Sequence, residues 1–399
     1  MSAMRRTLYV LLLVVVAQAA SAQTTQIIPR QSIADTVLGW TRIHTVPGAR
    51  KPLQVDDKLY SPAQLSFGDA FATWMQASYI PRGGLGEIRV FVSEKLNQYS
   101  ADDAGKPQAY GAAAKTYTEL KYDAAKKMVP ATGSSLRWGI TANGLEFGEP
   151  LQVLNTAADY YFLLPLFRET VSPTAVDDES KIRRRYDLSA HPALTRYITY
   201  FNFQLYSSRY ASSSNVLMFK DNKVPFVKIS RAEYLNKLAA AIERSYVKEK
   251  DKETKSWPEG KTRVTALANV EDRYRRRQNV LQSTRTKYQG RLQEPAEVSS
   301  LQPSVIIESN TDVFGDAKVS GPLYSIYKVD PEIAALTKSA GPQWIVVTWD
   351  GNIDTDPVAK RLHDAILNNF DFGYLYDFVF DSEKVKGRPY KPLRDPAAK

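Results

Sequence analysis

Three histidines, His44, His191 and His363, are scattered along the chain, and no cysteine accompanies them. A zinc centre would have to gather such isolated imidazoles with carboxylates from distant segments. No metal site and no cofactor is expected. The patterns that carry an activated nucleophile, a metalloprotease helix or a phosphate cradle (GxSxG, HExxH, GxxxxGK[ST]) do not occur. A Ser–His–Asp triad would need residues far apart, and no spacing singles one out. Glycoside hydrolysis needs two carboxyl groups roughly 5–9 Å apart. With 43 acidic residues, chance pairs are plentiful and none is marked.

Binding chemistry has better candidates. Arg82-Gly83-Gly84-Leu85-Gly86 is a glycine-rich loop whose amides could approach an anion. It follows a helix where a dinucleotide fingerprint follows a strand, and helix termination with a tight turn explains it fully. Asp350-Gly351-Asn352-Ile353-Asp354-Thr355-Asp356 alternates oxygen-bearing side chains like the start of a calcium loop. Its sixth and twelfth positions are Thr355 and Arg361, where an EF-hand needs Gly and Glu. A turn leading into a helix N-cap is the expectation.

Between Phe370 and Asp381, aromatics fall on every second residue, the period of a strand face. Such a face is core unless its rings reach water, in which case Tyr374 and Tyr376 are the pair to stack on a sugar. Residues 230–293 hold 16 Lys or Arg against 8 Asp or Glu. Without Arg5 and Arg6, that excess accounts for the net positive charge of the whole chain. Arg273, Arg275, Arg276 and Arg277 are its densest cluster, and such a local field attracts polyanions.

The elements that must position these residues read as α+β: antiparallel sheets with segregated helices, including a long basic αα-hairpin. Ser61-Pro62-Ala63-Gln64 predicts a capped helix to about Ser78, with Phe67, Ala70, Phe71, Trp74 and Ala77 on one stripe. Gly111–Lys127 is expected as a second helix. Asn143-Gly144 predicts a tight hairpin between strands at 136–140 and 144–147. Tyr197–Tyr206, Asn215–Phe219 and Pro225–Ile229 read as strands, the last two around Asp221-Asn222-Lys223.

Ser230-Arg231-Ala232-Glu233 reads as a capping box opening a helix with Leu235, Leu238, Ile242 and Tyr246 on one face. Trp257-Pro258-Glu259-Gly260 breaks it, and a second helix follows from about Val264 to Leu292. The outer face of this pair is expected to carry the basic excess. A strand at Gln343–Trp349, a helix capped at Asp356-Pro357 and a strand at 370–381 complete the chain. The expected division is a signal peptide at 1–22, an α+β region at 23–170, strands with the basic hairpin at 190–293, and a β-α-β region at 303–392.

The first 22 residues have the three parts of an export signal: Arg5 and Arg6, the apolar run Leu8–Ala17, and Ala20-Ser21-Ala22. The run is ten residues long, half a membrane span, so cleavage near Ala22/Gln23 is expected. The chain is read as periplasmic or secreted, with no transmembrane segment after cleavage. A cysteine-free exported chain relies on burial instead of disulfides, and 43% hydrophobic residues are ample for that.

Three stretches, Trp74–Gly86, Val227–Leu235 and Glu383–Pro392, resemble an uncharacterised exported protein family of Bacteroidota. The resemblance implies export from a Gram-negative cell and carries over no activity or catalytic residue. The expected function is non-catalytic binding of an anionic glycan, lipopolysaccharide or envelope protein, with no nucleic acid. The contact residues would be Arg82, the four arginines at 273 and 275–277, and Tyr374 with Tyr376. The alternative is a secreted hydrolase acting on glycan or peptide through Asp and Glu.

Overall fold

The structure, a computed structural model, describes residues 27–44, 51–55, 58–92, 106–145, 149–151, 154–156, 159–163, 187–206, 209–298, 313–314, 324–339, 341–351, 353 and 356–396. The expected leader lies outside them, as do residues 164–186 around the expected boundary at 170–190. In chain order the described elements are α1 (Arg30–Ile33), β1 (Trp40–His44), β2 (Leu53–Val55), β3 (Lys58–Tyr60), α2 (Pro62–Ser78), β4 (Leu85–Val92) and β5 (Tyr110–Tyr117). The ribbon β6 (Leu120–Tyr122) and β7 (Met128–Pro130) follows, then β8 (Ser135–Ala142), β9 (Glu149–Pro150), β10 (Tyr161–Leu163), β11 (Ile198–Tyr206), β12 (Arg209–Phe219) and β13 (Phe226–Lys228). The hairpin α3 (Arg231–Ser256) and α4 (Lys261–Lys287) comes next. The chain continues with β14 (Glu297–Val298), β15 (Tyr324–Val329), α5 (Pro331–Ser339), β16 (Trp344–Asp350), α6 (Pro357–Asn369) and α7 (Phe372–Phe380).

A seven-stranded sheet has the order β1-β4-β5-β8-β16-β12-β11. Every pairing in it is antiparallel except β1 with β4. In the smaller sheet, β15 pairs with β10 on one side and with β13 and β14 on the other. One face of the large sheet (Trp138, Ile140, Val216, Ile345, Val347 and Trp349) is covered by α2, α6 and α7. Its other face (Leu217, Phe219, Trp344 and Val346) meets Phe162, Phe226 and Val329 of the small sheet. The far side of the small sheet, Tyr161, Leu163 and Ile326, packs on Leu235, Leu238 and Leu281 of the hairpin. The layers therefore run helices, large sheet, small sheet, helical hairpin. This is the α+β class, with helices segregated to the outside.

The expected split at 170, 190 and 303 is not how the sheets are built. Strand β16 lies between β8 and β12, so the large sheet draws strands from all three regions. Helix α2 begins as read: Ser61 accepts from the Gln64 amide, and the Gln64 side chain accepts from the Ser61 amide. The second expected helix is instead β5 and the start of the β6–β7 ribbon. Its alanines serve closeness, not helix propensity. Ala112 and Ala114 lie buried in the core beneath α2, and a Cβ on Gly68 of that helix would sit 3.0 Å from the Gly111 carbonyl oxygen. Only small residues fit where the helix rests on the sheet.

Asn143 does adopt positive φ, but among the described residues no β-hairpin turns there. Strand β8 continues to Ala142 and pairs with β5 and β16. Asn143 pins the strand end: its amide donates to Trp344 O, its Oδ1 accepts from Gln343 N at 2.8 Å, and its Nδ2 donates to Gln108 O. Strands β12 and β13 flank the expected turn, in which Asp221 and Asn222 both have positive φ, but they belong to different sheets.

The segment expected as an aromatic strand is α7. Asp371 caps it by accepting from the Tyr374 amide. Rings on every second residue also cover both sides of a short helix. Tyr374 and Phe378 stack on each other and meet Trp74, while Tyr376 meets Phe380 and Tyr197. Both periods fit nine residues, and the cap decides for the helix.

Candidate functional site

The hairpin opens at Ser230, whose hydroxyl accepts from the Glu233 amide. Glu233 does not complete the expected box. Its carboxylate is drawn to the small sheet, where it accepts from Lys328 Nζ at 2.6 Å and from the Tyr161 hydroxyl. Both partners sit where a reciprocal cap would have pulled the side chain away. Two helices of 26 and 27 residues make an arm of roughly 40 Å at 1.5 Å per residue. They turn through Trp257–Gly260, where Gly260 has φ +146°.

At the root the seam is apolar: Tyr234, Leu235, Leu238, Ile242, Leu281 and Tyr288 are buried. Further out it becomes polar. The Tyr246 and Tyr274 rings lie 4.3 Å apart between centroids. Each hydroxyl donates to a carboxylate on the opposite helix, Tyr246 to Glu271 and Tyr274 to Glu243, both at 2.7 Å. One step beyond, Glu249 takes Arg277 at 2.8 Å, Arg273 at 2.9 and 3.1 Å, and the Ser245 hydroxyl at 2.8 Å. Desolvation alone would raise the Glu249 pKa. The hydrogen bonds from Arg277, Ser245 and Arg273 outweigh it and hold the carboxyl at about 2.

This geometry divides the four clustered arginines. Arg273 and Arg277 face the seam, and Arg277 is only 9% exposed. They brace the arm and form no outer patch with the other two. Arg275 and Arg276 are exposed, Arg276 reaching Asp272 at 3.3 Å along its own helix. From Arg273 to Gln293 the chain has no carboxylate at all. The outward side of this half of α4 therefore offers Arg275, Arg276 and Lys287 among exposed Asn279, Gln282, Ser283 and Thr286.

At the distal end the two helices enclose a groove of about 510 Å³. It runs from Glu253 on α3 and Trp257 just after it along the Lys261–Arg273 face of α4. The Trp257 indole is 43% exposed and donates to Glu253 at 2.8 Å. Sequence reasoning passed over Trp257 as part of a helix break. A large aromatic at the apex of an otherwise polar hairpin was the available signal.

The other expected site residues lie elsewhere. Arg82 is half-buried and bridges Val37 beside the parallel β1–β4 pair. The neighbouring amides of Gly83 and Gly86 already donate to the Thr36 and Gly39 carbonyls, so these two are not free to cradle an anion. Tyr374 is buried against Trp74, and its hydroxyl donates to Arg388 O at 2.8 Å, so it serves as core. Tyr376 shares the Arg196 guanidinium with Tyr197, at 4.9 and 4.8 Å from the ring centroids. The two tyrosines do not form one platform.

His363 accepts from the Trp349 indole at 2.9 Å. Burial lowers its pKa, keeping the imidazole neutral. Among the described residues no three metal-binding side chains converge. Asp356 caps α6, accepting from the Val358 and Ala359 amides, so the calcium-like stretch ends in a helix start. Asp350, at the end of β16, accepts from the Arg137 amide at 2.9 Å. By strand register it shares a sheet face with Thr348, Ser213 and Asn215. Burial pushes its carboxyl up to about 6, against the Arg137 amide and charge.

Comparison of the chain with protein-family models, with curated proteins and with solved structures finds no match.

Proposed function

We propose that this chain is an exported, non-catalytic binding protein of a Gram-negative envelope, and that it holds an anionic component, glycan or lipopolysaccharide, against α4. The observation that carries the reading is the carboxylate-free run from Arg273 to Gln293, with Arg275, Arg276 and Lys287 exposed along it. Charges of one sign on one helix face concentrate a polyanion, and the attraction falls with salt. Arg273 and Arg277 contribute by keeping the arm straight. Export rests on the leader at 1–22, and the resemblance to exported Bacteroidota proteins supports it. No helix among the described residues is long and apolar enough to cross a membrane.

Purified protein should be retained on immobilised lipopolysaccharide at low salt and released as salt rises. The triple reversal R275E/R276E/K287E should elute with the unbound fraction while its melting curve stays unchanged. Retention of the triple variant at parental salt would remove the reading. Export is tested separately by sequencing the N-terminus of protein recovered outside the cytosol, which should begin at Gln23.

The hydrolase alternative is favoured by one group, Asp350, whose carboxyl near pH 6 is suited to proton transfer. Glycoside hydrolysis needs a second carboxyl beside it, and the shift at Asp350 is caused by burial, which Arg137 opposes, with no acid among its causes.

A further inference from the structure

We infer that the groove at the tip of the hairpin is a saccharide-binding site in which Trp257 is the stacking platform. The inference rests on the binding reading above and names the chemistry that the arm selects. Its wall is unlike a peptide groove. Trp257 and Ala266 are the apolar side chains; Thr262, Thr265, Asn269 and Glu253 supply hydroxyl, amide and carboxylate groups. A docked amphipathic helix would need a row of apolar pockets. A sugar has one apolar ring face and a rim of hydroxyls, which suits one fixed aromatic with hydrogen-bonding groups around it.

The indole is fixed in advance. Its N–H is held by Glu253, four residues earlier in the last turn of α3, so little side-chain freedom remains to be lost on binding. The α4 wall, from Thr262 to Arg273, repeats at helical spacing and extends for roughly 16 Å. That length admits a short oligosaccharide. Lys261 lies at the Trp257 end, exposed and without an ion-pair partner among the described residues. Arg273 at the other end is already committed to Glu249. The free cation beside the platform selects an acidic sugar, one that carries a carboxylate.

Titration calorimetry of the purified protein with oligogalacturonate, and with a neutral maltooligosaccharide of equal length, reads this directly. The parent should bind the acidic oligosaccharide more tightly than the neutral one. Trp257→Ala should weaken it at least about tenfold. Trp257→Phe, which keeps a ring, should lose less, and Lys261→Ala should abolish the preference for the acidic ligand. Trp257 is exposed, so thermal melting should confirm that each variant folds. Absence of parental binding, or equal binding by the parent and Trp257→Ala, overturns the inference. The two readings separate cleanly: R275E/R276E/K287E tests the charged face on lipopolysaccharide, whereas the Trp257 variants leave that retention intact.

Discussion

Two carboxylates show how opposite surroundings set opposite behaviour in one chain. Asp350 is half-buried with one backbone donor, and its folded pKa lies near 6, above the ordinary 3.8. The native state therefore takes up a proton as pH falls through about 6, before the unfolded chain does. Stability from this group rises as pH drops from about 6 to 4, and at neutral pH the ionised form costs roughly 3 kcal/mol. Asp350→Asn keeps an acceptor for the Arg137 amide and removes the charge. We expect urea unfolding to show a gain of about 2–3 kcal/mol at pH 7.5 that disappears at pH 4. A gain of equal size at both pH values would mean that charge burial is not the cause.

Glu249 behaves the other way. Its folded pKa of about 2 lies below the ordinary 4.5. The stability it contributes is complete above pH 4.5 and is lost as pH falls toward 2. Glu249→Gln leaves the Arg277 guanidinium, 9% exposed, without its anion. Arg277 also donates to Ser245 Oγ at 3.3 Å, so the loss is that of a charge-assisted hydrogen bond, about 1.5–3 kcal/mol. That loss is local, because the polar seam beyond Tyr246 stands apart from the core clusters. Hydrogen exchange should accelerate over residues 247–273 in this variant and stay unchanged in the sheets. Uniform acceleration across the molecule would show that the clasp supports the whole fold.

At the scale of elements, helix starts were the legible part of the sequence. Ser61, Ser230 and Asp356 each cap the helix they announce, because a cap is a local interaction between a side chain and the next amides. Periodicity misled in two places for one reason: it measures which faces are apolar and not what they meet. The alanines of 112–114 permit close packing under α2, and the alternating rings of 370–380 surround a nine-residue helix. The hairpin was legible as an element, but the orientation of its arginines was not. Glu249 and Arg277 are 28 residues apart and meet only because the turn at 257–260 sets the antiparallel register. Projecting the two helices against each other from that turn would have paired them.

The whole molecule is closed by its late strand. β16 supplies Ile345, Val347 and Trp349 to the core of the large sheet, and the helices after it add Leu362, Ile366 and Phe370. At about 1.5–3 kcal/mol for each buried side chain, these six contribute on the order of 10 kcal/mol, as much as the net stability of a domain. A chain ending at Asp330 should therefore show no cooperative thermal transition and no near-ultraviolet circular dichroism. Cutting the backbone between Trp257 and Gly260 should be harmless by comparison, because the two halves remain joined through the layers. Native-like unfolding of the Asp330 truncation would contradict this account of the core.

The position of β16 also carries a message about timing. Strands β8 and β12 have no central partner until residue 344 leaves the ribosome. At about 5–20 residues per second, that moment comes roughly 17–70 s after initiation. For most of its synthesis the polypeptide is thus an open chain that cannot lock itself shut. Its β1-β4-β5-β8 half and its β12-β11 half can join into one sheet only in the last stage of synthesis.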